Sequence, residues 1–200
     1  MDRLSVSFYA RDTVRVAQAL VGKRLVRIDG NRRIAGMIIE VEAYRGEEDL
    51  ACHCRAGRTP RTEIMYGPPG RAYVYFVYGM HWLFNIVTEK EGFPGAVLIR
   101  AIQPEEGLDM IARRRNGRPQ KNWTDGPAKL CQALAINGEA NGINICSPDA
   151  EIFIERGAEI QSAWIHQTPR VGLETVPEPW RSKPWRFILT EPNLSLPKGG

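Results

Sequence analysis

Apolar and polar positions alternate over much of the chain, and helical spacing is confined to short stretches. Asp12-Thr13 has the form of a helix N-cap, and Val14, Ala17, Leu20 and Val21 follow at helical spacing until Gly22 stops the run. Residues 23–28 alternate as a strand, Asp29-Gly30-Asn31 is a turn, and the apolar stretch 33–44 predicts a second strand hairpinned to the first. Residues 45–70 carry little periodicity and many Gly, Pro and Arg, so they predict a long loop; such loops are uncommon unless functional or disordered. Residues 72–78 and 81–87, aromatic and β-branched around Gly79, predict a β-hairpin, and 95–102 predict another strand. Pro104-Glu105-Glu106 predicts the start of a helix to about Arg115. Thr124-Asp125-Gly126-Pro127 predicts the cap and first turn of a helix through Ala135. Short strands are expected at 143–145 and 151–155, and the Pro/Gly-rich tail, 191–200, is expected to be loosely held.

No internal repeat or long linker divides the chain, and the strands follow one another by hairpins. This predicts a single α+β domain over residues 1–200: a curved, mainly antiparallel sheet with flanking helices and a protruding β-hairpin. Its 200 residues are enough for one core that needs neither disulfide nor metal. The four cysteines, Cys52, Cys54, Cys131 and Cys146, follow no signal peptide and are expected as reduced thiols in the cytoplasm. No run approaches the roughly 20 apolar residues of a membrane span, so no membrane association is expected.

A formal charge of +4 leans weakly toward a polyanionic partner. The clustering says more: Arg55, Arg58 and Arg61 fall together, as do Arg113, Arg114, Arg115, Arg118 and Lys121. The second cluster reads as a phosphate-binding arm or, slightly better, as a solvated loop.

Four constellations carry candidate chemistry. Glu40, Glu42 and Tyr44 alternate and therefore share a strand face. Alone, the segment favours a solvated face over a general base beside a substrate platform. His53, in Cys52-His53-Cys54, reads as a pocket wall or a satisfied loop histidine; adjacent residues diverge and spaced cysteine pairs are absent, so the triplet is not read as a zinc site. Tyr73 and Tyr75 share one face of the hairpin, while Tyr78, Gly79, Met80 and His81 lie at its tip. Large side chains at an exposed tip suit a wedge inserted between base pairs or, equally, an oligomer contact. Asp125 to Leu130 reads more readily as an ordinary capped helix than as a phosphate site built on its N-terminus and Lys129.

Taken together, the segments resemble the alkyladenine (3-methyladenine) DNA glycosylase family. The matching stretches, in the same order, are Glu40-Val-Glu-Ala-Tyr44, His53, Thr59-Pro-Arg61, Tyr73-Val-Tyr-Phe-Val-Tyr-Gly-Met80, Asn85, Leu98-Ile-Arg-Ala101, Gly126 to Ile136, Arg170-Val-Gly172 and Lys183-Pro-Trp-Arg-Phe187. The resemblance implies a bacterial, monofunctional glycosylase that hydrolyses the N-glycosidic bond of alkylated or deaminated purines in double-stranded DNA. The class covers 3-methyladenine, 7-methylguanine, ethenoadenine and hypoxanthine. It implies that Glu42 activates the attacking water, helped by Arg100 and the Val171 carbonyl, and that Tyr44, His53 and Tyr75 stack the flipped base. Asn85 would disfavour the 2-amino group of guanine, Tyr78 would fill the gap in the duplex, and Met80, His81 and Lys129 would touch DNA. A monomer with no cofactor and no metal is implied. Two departures from the vertebrate pattern bear on DNA affinity: His81 stands where tyrosine is familiar, and Asp125 where a small hydroxyl residue is found.

Two other readings use the same residues. A module that grips distorted nucleic acid without chemistry would leave Glu42 and Arg100 unexplained. Carbohydrate hydrolysis by Glu40 and Glu42 has poor geometry, because glycosidase carboxylates flank the bond from opposite sides.

Overall fold

The computed structural model describes residues 2–190, so the expected loose tail lies outside the described residues. Within these residues eight strands form one antiparallel sheet: β1 (Arg24–Asp29), β2 (Arg32–Arg45), β3 (Ala72–Val77), β4 (His81–Val87), β5 (Gly95–Glu106), β6 (Ile152–Glu155), β7 (Ile165–Thr168) and β8 (Arg186–Leu189). The order is β3-β4-β5-β2-β1-β6, with β8 paired to β2 and β7 to β8. Among the described residues four short α-helices flank it: α1 (Val6–Tyr9), α2 (Thr13–Leu20), α3 (Leu108–Arg114) and α4 (Pro127–Ala133).

β2 organises the sheet. Along one edge it pairs with β5; along the other it pairs with β1 as far as Met37 and then with β8 over Glu40–Glu42. The β2–β5 register shifts between Ile38 and Val41, passing over Ile39 and Arg100. Such bulges bend a strand and re-aim side chains. The carboxylate segment thus sits where β2 changes partners.

α2 begins where its sequence predicts: Asp12 accepts a hydrogen bond from the Arg15 N–H, and Val16, Ala17 and Leu20 turn one face into the core. α4 adds Leu130, Ala133 and Leu134 to the same core. Residues 45–70 are not one structureless loop. They hold two 3-10 turns, His53–Ala56 and Glu63–Tyr66, anchored by a second cluster of Cys52, Cys54, Met65, Tyr66 and Tyr73. Each such buried apolar side chain contributes about 1.5–3 kcal/mol, which fixes the segment that carries His53.

Three expected elements differ. Pro104-Glu105-Glu106 ends β5 instead of opening a helix; Pro104 sits at a register shift opposite Gly36, where no ladder N–H is required. The chain leaves the sheet at Gly107, whose φ of 70° favours glycine, and α3 starts afterwards. Thr124 does not cap α4: it is buried and donates to the Ile102 carbonyl, leaving Gly126 as the uncapped N-terminus. Residues 143–145 supply only an isolated bridge, Asn144 to Arg71. All four cysteines are free thiols. Among the described residues, no helix is long and apolar enough to cross a membrane.

Candidate active site

Glu42, on β2, is completely buried, and its carboxylate is held by donors from three segments. Oε2 accepts from the Tyr44 hydroxyl at 2.8 Å and from Arg100 Nη1 at 3.2 Å. Oε1 accepts from the Val171 backbone N–H at 2.7 Å. A carboxylate offers about four lone-pair sites, so one remains for a further donor. A charge at this depth is tolerable only because it is paired and hydrogen-bonded. The solvated-face reading of this segment is therefore excluded.

Arg100 holds both carboxylates: its Nε donates to Glu40 Oε1 at 2.7 Å while Nη1 reaches Glu42. Burial disfavours its charge, but Glu42 and Glu40 outweigh that effect and raise its pKa above the usual arginine value. Arg186 on β8 also donates to Glu40 Oε1, at 2.6 Å. Glu40 thus serves as an anchor between two guanidiniums, whereas Glu42 faces the Tyr44 hydroxyl and Val171. The pairing of β8 with β2 brings Arg186 here, and sequence spacing gives no sign of it.

Beside Glu42 lies a cavity of about 420 Å³, walled by Tyr44, His53, Tyr75, Asn85, Leu98 and Arg100. That volume suits a small planar ligand. His53 and Tyr75 meet edge to face with centroids 4.6 Å apart, and Tyr73 lies 5.1 Å from Tyr75. His53 Nδ1 and the Tyr73 hydroxyl share a hydrogen bond of 2.8 Å. Burial, then the nearby Arg61 and Arg55, pulls the His53 pKa down to about 4, so the ring is neutral at pH 7. Burial, with the Glu42 charge, pushes the Tyr44 phenol well above its usual value and keeps it a proton donor. Burial raises Tyr73 to about 12 and Tyr75 higher still. Asn85 is buried and donates to the Tyr73 carbonyl at 3.1 Å.

The hairpin of β3 and β4 overhangs the cavity mouth, where Tyr78 and His81 join its lining. Tyr78 and Gly79 both take left-handed backbone angles, φ 53° and 65°, and the Met80 N–H bonds the Val77 carbonyl, forming a type I′ turn. This holds Tyr78 89% exposed and Met80 67% exposed. Lys129 follows Pro127 and Ala128, which line the cavity, and is paired with Asp125 at 2.9 Å. It is the third residue of α4, whose N-terminus at Gly126 has no side-chain cap. The Arg113–Lys121 cluster is corrected in part: Arg114 pairs with Asp29, and the buried Arg115 with Gln132, so both brace the fold instead of being solvated.

One structural pair went unnoticed in the sequence. Arg170 and Asp49 are both fully buried and meet through two hydrogen bonds of 2.5 and 2.9 Å. Arg170 also donates to the Ala43 carbonyl and covers the Tyr44 ring at 4.7 Å, while Asp49 accepts from the Ala51 N–H. The pair ties Val171 to β2 and to the wall that carries His53. Among the described residues, no group of three or more His, Cys, Asp or Glu is placed to hold a metal ion.

The sequence profile of the methylpurine-DNA glycosylase family matches residues 7–193. Relatives that carry the provisional name 3-methyladenine DNA glycosylase include one from Anaeromyxobacter dehalogenans, 48% identical over 94% of this chain and 83% of its own. One from Desulfitobacterium hafniense is 42% identical over 96% of this chain and 97% of its own. One from Myxococcus xanthus is 42% identical over 96% and 92%. Matched nearly end to end, the chain belongs to the methylpurine-DNA glycosylase family, hydrolases that act on the N-glycosyl bonds of DNA.

Proposed function

We propose that the protein flips a damaged purine out of duplex DNA into the cavity beside Glu42 and hydrolyses its N-glycosidic bond. The carrying observation is the fully buried Glu42 carboxylate, held with one acceptor site left by three donors, Tyr44, Arg100 and Val171, that themselves line an aromatic cavity. Glu42 takes the proton of a water that attacks the sugar C1′, and its charge stabilises the oxocarbenium-like sugar. Arg100 and the Val171 carbonyl complete the water's surroundings; the Val171 N–H already fixes the carboxylate.

Tyr44, His53 and Tyr75 form the cage around the base. An electron-rich cage attracts purines made cationic by ring alkylation, and a neutral His53 adds no repulsion. Asn85 fills the space a guanine 2-amino group would need. Flipping costs a few kcal/mol, least for poorly paired lesions, and Tyr78 occupies the vacated stack while Met80, His81 and Lys129 contact the flanking DNA. The protein works as a monomer on alkylated and deaminated purines, namely 3-methyladenine, 7-methylguanine, ethenoadenine and hypoxanthine. Among the described residues, no lysine stands beside Glu42 to form a Schiff base, so the product is an abasic site in an intact strand.

The test is incubation of the wild-type protein with a panel of duplexes, each carrying one of these lesions. Free base plus an alkali-labile, otherwise uncut strand supports the reading. Tight binding without base release from any duplex would instead favour a module that grips distorted DNA.

A further inference from the structure

The base cavity adjoins a second hollow of about 430 Å³ with which it shares Ala51, Cys52, His53, Gly172 and Leu173, and Arg61 lines that hollow and not the cavity itself. Its guanidinium carbon lies 5.1 Å from the centroid of Tyr75, a wall of the cavity. The Arg61 charge also acts on the Tyr73 phenol, opposing the rise that burial causes there, and that phenol bonds His53. Arg61 is exposed and has no carboxylate partner among the described residues, unlike Arg58, which pairs with Glu63. A base stacked on the inner face of Tyr75 would lie roughly 8–9 Å from this charge, within about one Debye length.

The position matters because departing bases differ in charge. In hydrolysis the bond from C1′ to the purine N9 breaks and its electron pair goes to the base. The water oxygen bonds C1′, and the water's proton goes to Glu42. A ring-alkylated cation therefore leaves as a neutral molecule. A neutral purine such as hypoxanthine leaves as an anion and takes a proton from solvent afterwards. No side chain of the cavity described above supplies a cation to that anion except Arg100, which two carboxylates already neutralise.

We propose that Arg61 is the specificity-determining residue for neutral lesions: its fixed charge behind Tyr75 stabilises the negative charge that develops on a departing neutral base. A cationic base is repelled by the same amount on entering the cavity as it is relieved on leaving, so relative to free protein and duplex it gains nothing, whereas a neutral base gains the full stabilisation. The inference rests on the proposed base cavity. The same field accounts for part of the lowered His53 pKa, to which Arg61 contributes ahead of Arg55.

The experiment compares Arg61→Gln and Arg61→Lys with wild type in single-turnover excision at subsaturating protein, where the rate refers to free protein and free duplex, from duplexes carrying one hypoxanthine or one 7-methylguanine. A partly screened charge at this range predicts that Arg61→Gln slows hypoxanthine release about tenfold and changes 7-methylguanine release less than about twofold. Arg61→Lys should retain most of the hypoxanthine rate. In the same variants the His53 ring resonances should titrate at higher pH with Gln and close to wild type with Lys. Equal slowing of both lesions, or no slowing of hypoxanthine, overturns the assignment of Arg61 and leaves the cavity reading intact. Failure of the wild-type protein to release either base overturns both.

Discussion

The Val171 backbone N–H donates to Glu42 Oε1 at 2.7 Å, joining residues 129 positions apart in the chain. Val171 itself is 45% exposed, so its own packing cannot hold that N–H in place. The preceding residue does so: Arg170 is locked on Asp49 beneath the Tyr44 ring. The precision of Glu42 therefore depends on a buried ion pair that never meets the cavity.

Removing one member of that pair strands the other without water. Asp49→Ala should lower unfolding stability by about 3–5 kcal/mol in urea titration. A change below about 1 kcal/mol would mean that solvent reaches Arg170 and that the pair does not hold Val171.

Tyr78 contributes little to folding because it projects into solvent, so Tyr78→Ala should leave stability within about 0.5 kcal/mol of wild type. Its effect should fall on excision and be larger for a lesion in a stable pair than for the same lesion in a mismatch. Equal losses on both duplexes would count against the wedge.

His53 should remain neutral through pH 5–8, and NMR titration of its ring should give a midpoint near 4. The folded state therefore binds this proton less readily than the unfolded chain, whose histidine titrates near 6.5. The sign follows: His53 does not oppose folding above pH about 6.5, and it destabilises the fold progressively as pH falls from there toward about 4. A midpoint near 6.5 would show that neither burial nor the two arginines act on the ring.

Glu40 should prove to be an anchor. Glu40→Gln keeps an acceptor for Arg100 and Arg186 and should reduce single-turnover excision about tenfold or less, by loosening Arg100. A loss as deep as that of a Glu42 variant would make the two carboxylates equal partners in the chemistry.

What the sequence revealed and what it hid follow from the range of the interactions. The Asp12 cap of α2, the β1–β2 turn and the hairpin around Gly79 depend on neighbours a few residues apart, and their patterns predict them. Pro104-Glu105-Glu106 has the composition of a helix start, but pairing of β5 with β2 keeps it in the sheet as far as Gly107. β7 and β8 have four residues each and half-exposed faces, too little for a periodic signal. The side-chain chemistry divides the same way. Glu42 and Tyr44 can be paired from strand alternation alone. The anchoring of Glu40 by Arg186, and of Val171 by Asp49 and Arg170, exists only after residues more than a hundred positions apart have met. Family resemblance had marked Arg170 and Arg186 as members of matching stretches without giving either a task.

The proposed role of Glu42 is to activate the attacking water. Its most direct test is single-turnover excision of 7-methylguanine from a duplex by Glu42→Gln, with binding to the same duplex measured alongside. Loss of a positioned general base and its charge predicts a rate reduced by roughly 10³-fold or more while DNA binding is retained. Excision within about tenfold of wild type would contradict the claim and place the water elsewhere in the cavity.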